Sequence, residues 1–214
     1  MAELVINDDT LSDPVTVTDC EVRAAILNFL AGILSSIPTS KSIWGLRQIA
    51  EALGFHCESD WSLLDIKRQY TKLFVMNNQG YVAPYECMFR DHWFLPLTPN
   101  MGSMANAHDK ASKSLVMGAS TMAVHRAYQD AGMVPVADLP DHIANELRFM
   151  AYLWAKQSET VSENAGEWAQ RLRKFRYDHV LKWIHRLRER VQLSDRLGFF
   201  SVTLQVAEML VQAG

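Results

Sequence analysis

Glycine and proline are scarce in this chain, 10 and 7 in 214 residues, which makes helix the favoured class. Cysteine is scarcer still. Cys20, Cys57 and Cys87 are odd in number, far apart and form no Cys-x-x-Cys pair. That argues against a disulfide framework or a zinc–thiolate site and fits a reducing compartment. No apolar run is long enough to span a bilayer. The stretch Met1-Ala2-Glu3-Leu4-Val5-Ile6-Asn7-Asp8-Asp9 is acidic and has no basic region ahead of an apolar core, so it does not read as a secretory signal. A cytoplasmic protein without stable membrane insertion is expected. Gly-x-Ser-x-Gly elbows, Walker loops and Gly-x-Gly-x-x-Gly fingerprints are missing, and with them the sequence marks of several enzyme classes. The net charge of −3 gives no reason to expect nucleic acid as a partner. No internal repeat is visible, and only the short Val15-Thr16-Val17 alternates as a strand would.

What is present is ordinary globular composition, 49% hydrophobic and 21% charged. The pattern reads as an all-α, single-domain helical bundle of about eight to ten helices. Residues 1–17 look like an acidic, flexible lead-in, and 18–214 like the helical domain. Thr18-Asp19-Cys20-Glu21 has the form of a capping box. Val22, Ile26, Phe29, Leu30 and Ile33 continue it as a stripe, and Pro38 ends it. A helix follows from Ser40 to Leu53, with Gly54 placed where a left-handed residue is wanted. The next is read from Asp60 to about Val75, and a short one from Tyr85 to about Phe94. Two prolines and a glycine break the chain between Leu95 and Ser103. Further helices are read from Ser114 to Ala131, stopped by Gly132; from Pro140 to about Gln157; across Trp168, Leu172 and Phe175 to Val191, with a kink near Asp178; and from Leu197 to Gln212.

The stretch from Leu139 to Met150 carries the most information. Proline suits a first helical turn, and Asp141 would place negative charge where the helix dipole favours it. Ile143, Leu147, Met150 and Trp154 make one apolar stripe. His142 and Glu146, four apart, fall side by side on a neighbouring strip. Together with Asp141 they make a small acidic patch beside an apolar face. The bland reading gives Asp141 to the dipole, Glu146 to solvent and His142 to a cap.

Three other constellations have functional readings. Arg171, Arg173, Lys174, Arg176, Lys182, Arg186, Arg188 and Arg190 crowd one region. The aromatic residues among them fall on the apolar stripe, so the basic side chains read as a solvated face rather than a nucleic-acid site. A helical interaction protein with a basic face remains an alternative. Asp141, His142, Glu146 and His179 could be gathered as a metal set, which leaves a small metal protein or enzyme as another. Tyr70, Leu73 and Phe74, with Pro84 and Tyr85 one loop later, could line an apolar peptide groove. Leu73 and Phe74 are adjacent, and adjacent residues on a helix cannot both point straight inward.

These segments, in this order, resemble the TorD/DmsD/NarJ family of redox-enzyme maturation chaperones. The matching pieces are Tyr70-x-x-Leu73-Phe74, Pro84-Tyr85-Glu86, Pro140-Asp141-His142-x-x-x-Glu146-Leu147-x-Phe149-Met150 and His179-x-x-x-Trp183, within roughly residues 20–210. The resemblance implies an all-helical TorD/DmsD-like fold, no catalysis and no cofactor. It also implies a client: the precursor of a molybdoenzyme catalytic subunit, bound through its twin-arginine signal peptide until cofactor insertion and folding are complete. The apolar part of that peptide would suit Tyr70, Leu73, Phe74, Pro84 and Tyr85, with Gly118 nearby as in relatives. Its arginines would suit Asp141 and Glu146, beside His142, since guanidinium–carboxylate pairs can be bidentate. His179 and Trp183 would support the site. There are two departures. Gln69 stands where the family often has an acidic residue, which would remove one peptide-facing charge. The Leu95–Ser114 segment is longer than in typical members. That segment and Ser158–Asn164 are breaks between helical blocks, so a monomer with a minor domain-swapped dimer is expected.

Overall fold

The computed structural model describes residues 17–55, 57, 61–76, 79–91, 118–134, 139–159 and 165–213. The N-terminal segment, Val15 and Thr16, the 95–114 segment and residues 160–164 of the linker lie outside the described residues. The first helices are α1 (Val17–Ser35), α2 (Ser40–Ala52) and α3 (Leu63–Tyr70), which passes into a π-helical turn at Thr71–Val75. A short α4 (Cys87–Arg90) precedes α5 (Ala119–Asp130), α6 (Ile143–Glu159) and α7 (Ala165–Asp178). A 3₁₀ turn at Val180–Lys182 leads into α8 (Ile184–Gln192) and α9 (Phe199–Gln212). The described chain is all-α, and its one β feature is an isolated antiparallel bridge between Tyr85 and His142.

α6 is the centre of the bundle. The stripe Ile143, Leu147, Met150 and Trp154 is buried, and so are Ala144, Phe149, Ala151 and Leu153 on its other faces. A helix apolar nearly all round belongs inside a bundle. α1 makes its most extensive contact with α6, and its Leu27, Leu30, Ala31 and Leu34 are buried. α7 covers another side of α6, while α8 and α9 pack on each other, and α9 also on α1. Each fully buried Leu or Ile contributes about 1.5–3 kcal/mol.

The ends of these helices show which local signals hold. α2 starts at Ser40 because Thr39 and Ser42 cap each other: the Thr39 hydroxyl accepts from Ser42 N at 3.3 Å, and the Ser42 hydroxyl accepts from Thr39 N at 3.1 Å. Gly54 and Gly132, expected as stops, have φ of +79° and +71°, a region that only glycine enters at little cost. Other expectations are corrected. α1 already includes Val17 and Thr18, so Thr18 is not the residue before the helix. The long helix expected up to Val75 loses its α register at Thr71. There Met76 N donates to the Thr71 carbonyl at 2.8 Å, five residues back. The expected Tyr85–Phe94 helix has its start moved to Cys87. The helix expected across Asp178 is two helices, separated by His179 and the 3₁₀ turn.

Candidate functional site

The Pro140 region does not open a helix directly. α6 begins at Ile143, and Pro140 and Asp141 form a turn ahead of it. The cause is a distant partner. Ile143 N donates to the Pro84 carbonyl and Glu86 N to the Asp141 carbonyl, both at 2.9 Å. These bonds seat the Pro84–Glu86 stretch against the start of α6. His142 is the residue ahead of the helix, and its Nδ1 accepts from Ala144 N at 3.1 Å. The histidine thus acts as a helix cap. The Tyr85 ring meets its imidazole edge to face, with centroids 5.2 Å apart.

Asp141 and Glu146 are both fully buried, which corrects the expected surface patch. The Asp141 Oδ2 accepts from Cys87 N at 3.0 Å and from the Thr121 hydroxyl at 2.9 Å. One carboxylate therefore ties α4, α5 and the α6 turn together. Burial raises the Asp141 carboxyl above its usual range, against the lowering effect of the hydrogen bonds from Cys87 and Thr121. Burial, and then the Asp141 charge beside it, push the Cys87 thiol up to about 12. Tyr128 closes the same turn from α5 by donating to the Pro140 carbonyl at 2.9 Å.

Glu146 lies one turn into α6. Its Oε2 accepts from Trp183 Nε1 at 3.0 Å. Burial, followed by the nearby Glu86 carboxylate, raises Glu146 well above the ordinary glutamate range. Its uncharged form is therefore favoured. Glu86 is fully buried as well. It binds His179 Nδ1 at 2.9 Å and pairs with the Arg90 guanidinium, which also donates to the Asp178 carbonyl at 2.7 Å. His179 stacks on Phe175, and the Trp183 ring lies 5.4 Å from that of Phe89. The predicted residues Tyr85, Asp141, His142, Glu146, His179 and Trp183 thus converge on one buried polar frame. Sequence reasoning omitted Glu86, Arg90, Cys87 and Thr121. Of these only Glu86 carried a signal, as the third residue of Pro84-Tyr85-Glu86.

The apolar half of the expected groove is placed differently. Tyr70 and Leu73 are buried, and Phe74 packs half-buried between the rings of Tyr70 and Phe200. The π turn widens the helix, so Leu73 and Phe74 both reach the core, which an α register would not permit. Leu73 therefore cannot touch a peptide in this conformation. Pro84 is buried and Tyr85 half-buried. Gly118 precedes α5, where a Cβ would collide with the Asp91 carboxylate. It permits the close approach of α4 to α5. Gln69 is also buried, and its amide donates to the Ser194 carbonyl at 2.7 Å. Position 69 faces the interior, so the absence of an acid there removes no peptide-facing charge. The exposed apolar side chains on this stretch are Val75, Met76 and Met88, at 59%, 54% and 45%.

The four groups gathered as a metal set are each committed elsewhere: His142 to Ala144, Asp141 to Cys87 and Thr121, Glu146 to Trp183, and His179 to Glu86. Among the described residues no group of three or more His, Cys, Asp or Glu side chains is placed to hold a metal ion. No described helix is long and apolar enough to cross a membrane.

The model of the nitrate reductase delta subunit family matches residues 42–189, a span that contains the whole frame. The chain belongs to that family. Its members are maturation chaperones for molybdoenzymes and not a catalytic family. No curated protein matches the chain in sequence. Among solved structures it is similar to one from Archaeoglobus fulgidus described as a redox enzyme maturation protein. The identity is 15% and the TM-score 0.47, over 95% of this chain and 99% of that one.

Proposed function

We propose that this protein is a cytoplasmic, system-specific chaperone that binds the twin-arginine signal peptide of a molybdoenzyme catalytic subunit. It holds the precursor while cofactor is inserted and folding completes. The family carries the chaperone half of this reading. The observation that supports the peptide half is the Tyr85–His142 bridge, which fixes a partly buried tyrosine on a stretch of chain that also exposes Val75, Met76 and Met88. Exposed methionines and an aromatic ring suit an apolar segment, because the flexible thioether adapts to varied side chains. In this proposal Tyr85 and Gly118 lie at the contact surface, backed by the buried Pro84 and His142. Asp141, Glu146, His179 and Trp183 hold it in place, and Tyr70, Leu73 and Phe74 support it from below. The protein acts as a monomer with a minor domain-swapped dimer.

The test is binding of a synthetic peptide that carries adjacent arginines followed by an apolar stretch. Tyr85→Ala and Met88→Ser should each weaken binding by about fivefold to tenfold, on the order of 1 kcal/mol, with an unchanged helical circular dichroism spectrum. Wild-type protein that does not bind the peptide, or variants that bind it as wild type does, would contradict the reading.

A further inference from the structure

The basic cluster that the sequence offers as a solvated face is not simply solvated. Arg171, Lys174 and Lys182 border a cavity of about 600 Å³ between α5 and α7. Arg90 and Arg126 complete five basic side chains on its lining, against three acidic ones, Asp91, Asp130 and Asp178. Two of the five are already paired with carboxylates off the lining, Arg90 with Glu86 and Arg171 with Glu167, so the charge open to a partner is carried by Arg126, Lys174 and Lys182. Phe149 and Phe175 also line the cavity, and α5 contributes Ala119, Ala123 and Ala127 at intervals of four. Lining side chains this small allow a helix to approach closely. From Ala119 to Asp130 the trough runs for three turns of α5, about 16 Å.

The acids on the lining are partly occupied already. The Asp178 carboxylate is shared by Lys174 at 3.3 Å and Lys182 at 3.8 Å. Asp91 accepts from both the backbone N–H and the hydroxyl of Ser120. Arg171 is held by Glu167 and by the Asp130 carbonyl. Arg126, exposed on the rim, has no hydrogen-bond or ion-pair partner among the described residues. His179 spends Nδ1 on Glu86, and its Nε2 has no partner among them either. The trough thus offers an apolar floor, an unmatched guanidinium at its rim and an unused imidazole nitrogen on its lining.

We propose that this trough docks an acidic, amphipathic helical segment of the client polypeptide, at a site separate from the surface around Tyr85. The inference rests on the client being a protein precursor, as proposed above. The lining favours a carboxylate-bearing segment over a phosphate compound. The helix N-terminus that opens on the trough, that of α5, is already filled by the Asp91 carboxylate, which would repel phosphate there. The rim charges are also spread along three turns rather than focused on one point, which suits acids spaced along a helix.

The experiment uses the full chain and a designed peptide of about twelve residues, three turns long, with Glu on one face and Leu on the other. Its Glu→Gln counterpart, inorganic triphosphate and a twin-arginine peptide are measured alongside. The Glu peptide should bind about tenfold more tightly than the Gln peptide. Ala127→Trp, which fills the trough, and Arg126→Glu, at an exposed rim position that keeps the test readable if the tryptophan variant does not fold, should each remove about that factor. Binding of the twin-arginine peptide should be unchanged in both variants. Equal binding of the Glu and Gln peptides, insensitivity to both substitutions, or triphosphate binding that the Glu peptide cannot displace would overturn the proposal. Failure of the twin-arginine peptide alone would count against the signal-peptide reading, while the Glu peptide result would still decide this one.

Discussion

The acidic frame below α6 and the basic trough between α5 and α7 look alike in the sequence, and the fold treats them in opposite ways. Both set charged residues beside an apolar helical stripe. Asp141, Glu146 and Glu86 are fully buried and are held by backbone, hydroxyl, indole, imidazole and guanidinium donors. Arg171, Lys174 and Lys182 stay at the rim of an open cavity. The two regions meet at Arg90 and His179, which bind Glu86 on one side and line the trough on the other. A carboxylate goes inside when donors from several elements converge on it. Long basic side chains more readily keep their charges in water while their stems cover apolar surface.

The contrast predicts a graded series of stability effects. The largest should come from the packed side. Leu73→Ala should cost about 2–5 kcal/mol in urea denaturation, because Leu73 is fully buried at the π turn. A loss below about 1 kcal/mol would place that residue at a surface after all. Asp141→Ala should follow at about 1–3 kcal/mol, since it strands the Cys87 N–H and the Thr121 hydroxyl inside the core.

Glu146→Gln sharpens the comparison through pH. The folded-state pKa of Glu146 is raised above its unfolded value of about 4.5. The folded state therefore binds the proton more tightly. The stability this provides is complete below the unfolded pKa and is lost as pH rises from there toward the folded pKa. Wild type should lose stability over that window by up to about 1.4 kcal/mol per pH unit. Glutamine keeps an uncharged donor and acceptor, so the variant should show a shallower slope in denaturation curves taken from acid to neutral pH. Parallel slopes would mean that Glu146 is charged in its buried site. The smallest effect belongs to the trough, where Arg126→Ala should change stability by no more than about 0.5 kcal/mol.

Particular residues show why some of this was legible and some was not. The start of α2 and the stops at Gly54 and Gly132 depend on neighbours within a few positions, and local pattern places them well. The stripe on α6 is equally local in origin, and all its members are buried. The beginning of α6 is different. Pro140 is a sound signal for a first helical turn, but the Pro84 carbonyl, far back in the chain, claims the Ile143 N–H and moves the start to Ile143. The π turn at Thr71 likewise belongs to no short pattern, and it reverses the inference that Leu73 and Phe74 could not both point inward. The family pieces at Tyr70, Tyr85, Asp141 and His179 did mark one connected region. Whether a given charge faces solvent or the core was not readable from that pattern, because the answer lies in partners such as Thr121, Cys87 and Trp183 on other elements.

The central claim is that Asp141 holds the peptide surface in place and does not itself touch the client's arginines. A double-mutant cycle tests this directly. Binding is measured for wild type and Asp141→Asn, each with a peptide carrying an Arg-Arg pair and with its Lys-Lys counterpart. Full burial of Asp141, with Oδ2 already bound by Cys87 and Thr121, predicts additive effects within about 0.5 kcal/mol. A coupling of about 1 kcal/mol or more, with the Arg-to-Lys change mattering less once Asp141 is neutralised, would show that the buried carboxylate opens to meet the arginine pair and would contradict the account.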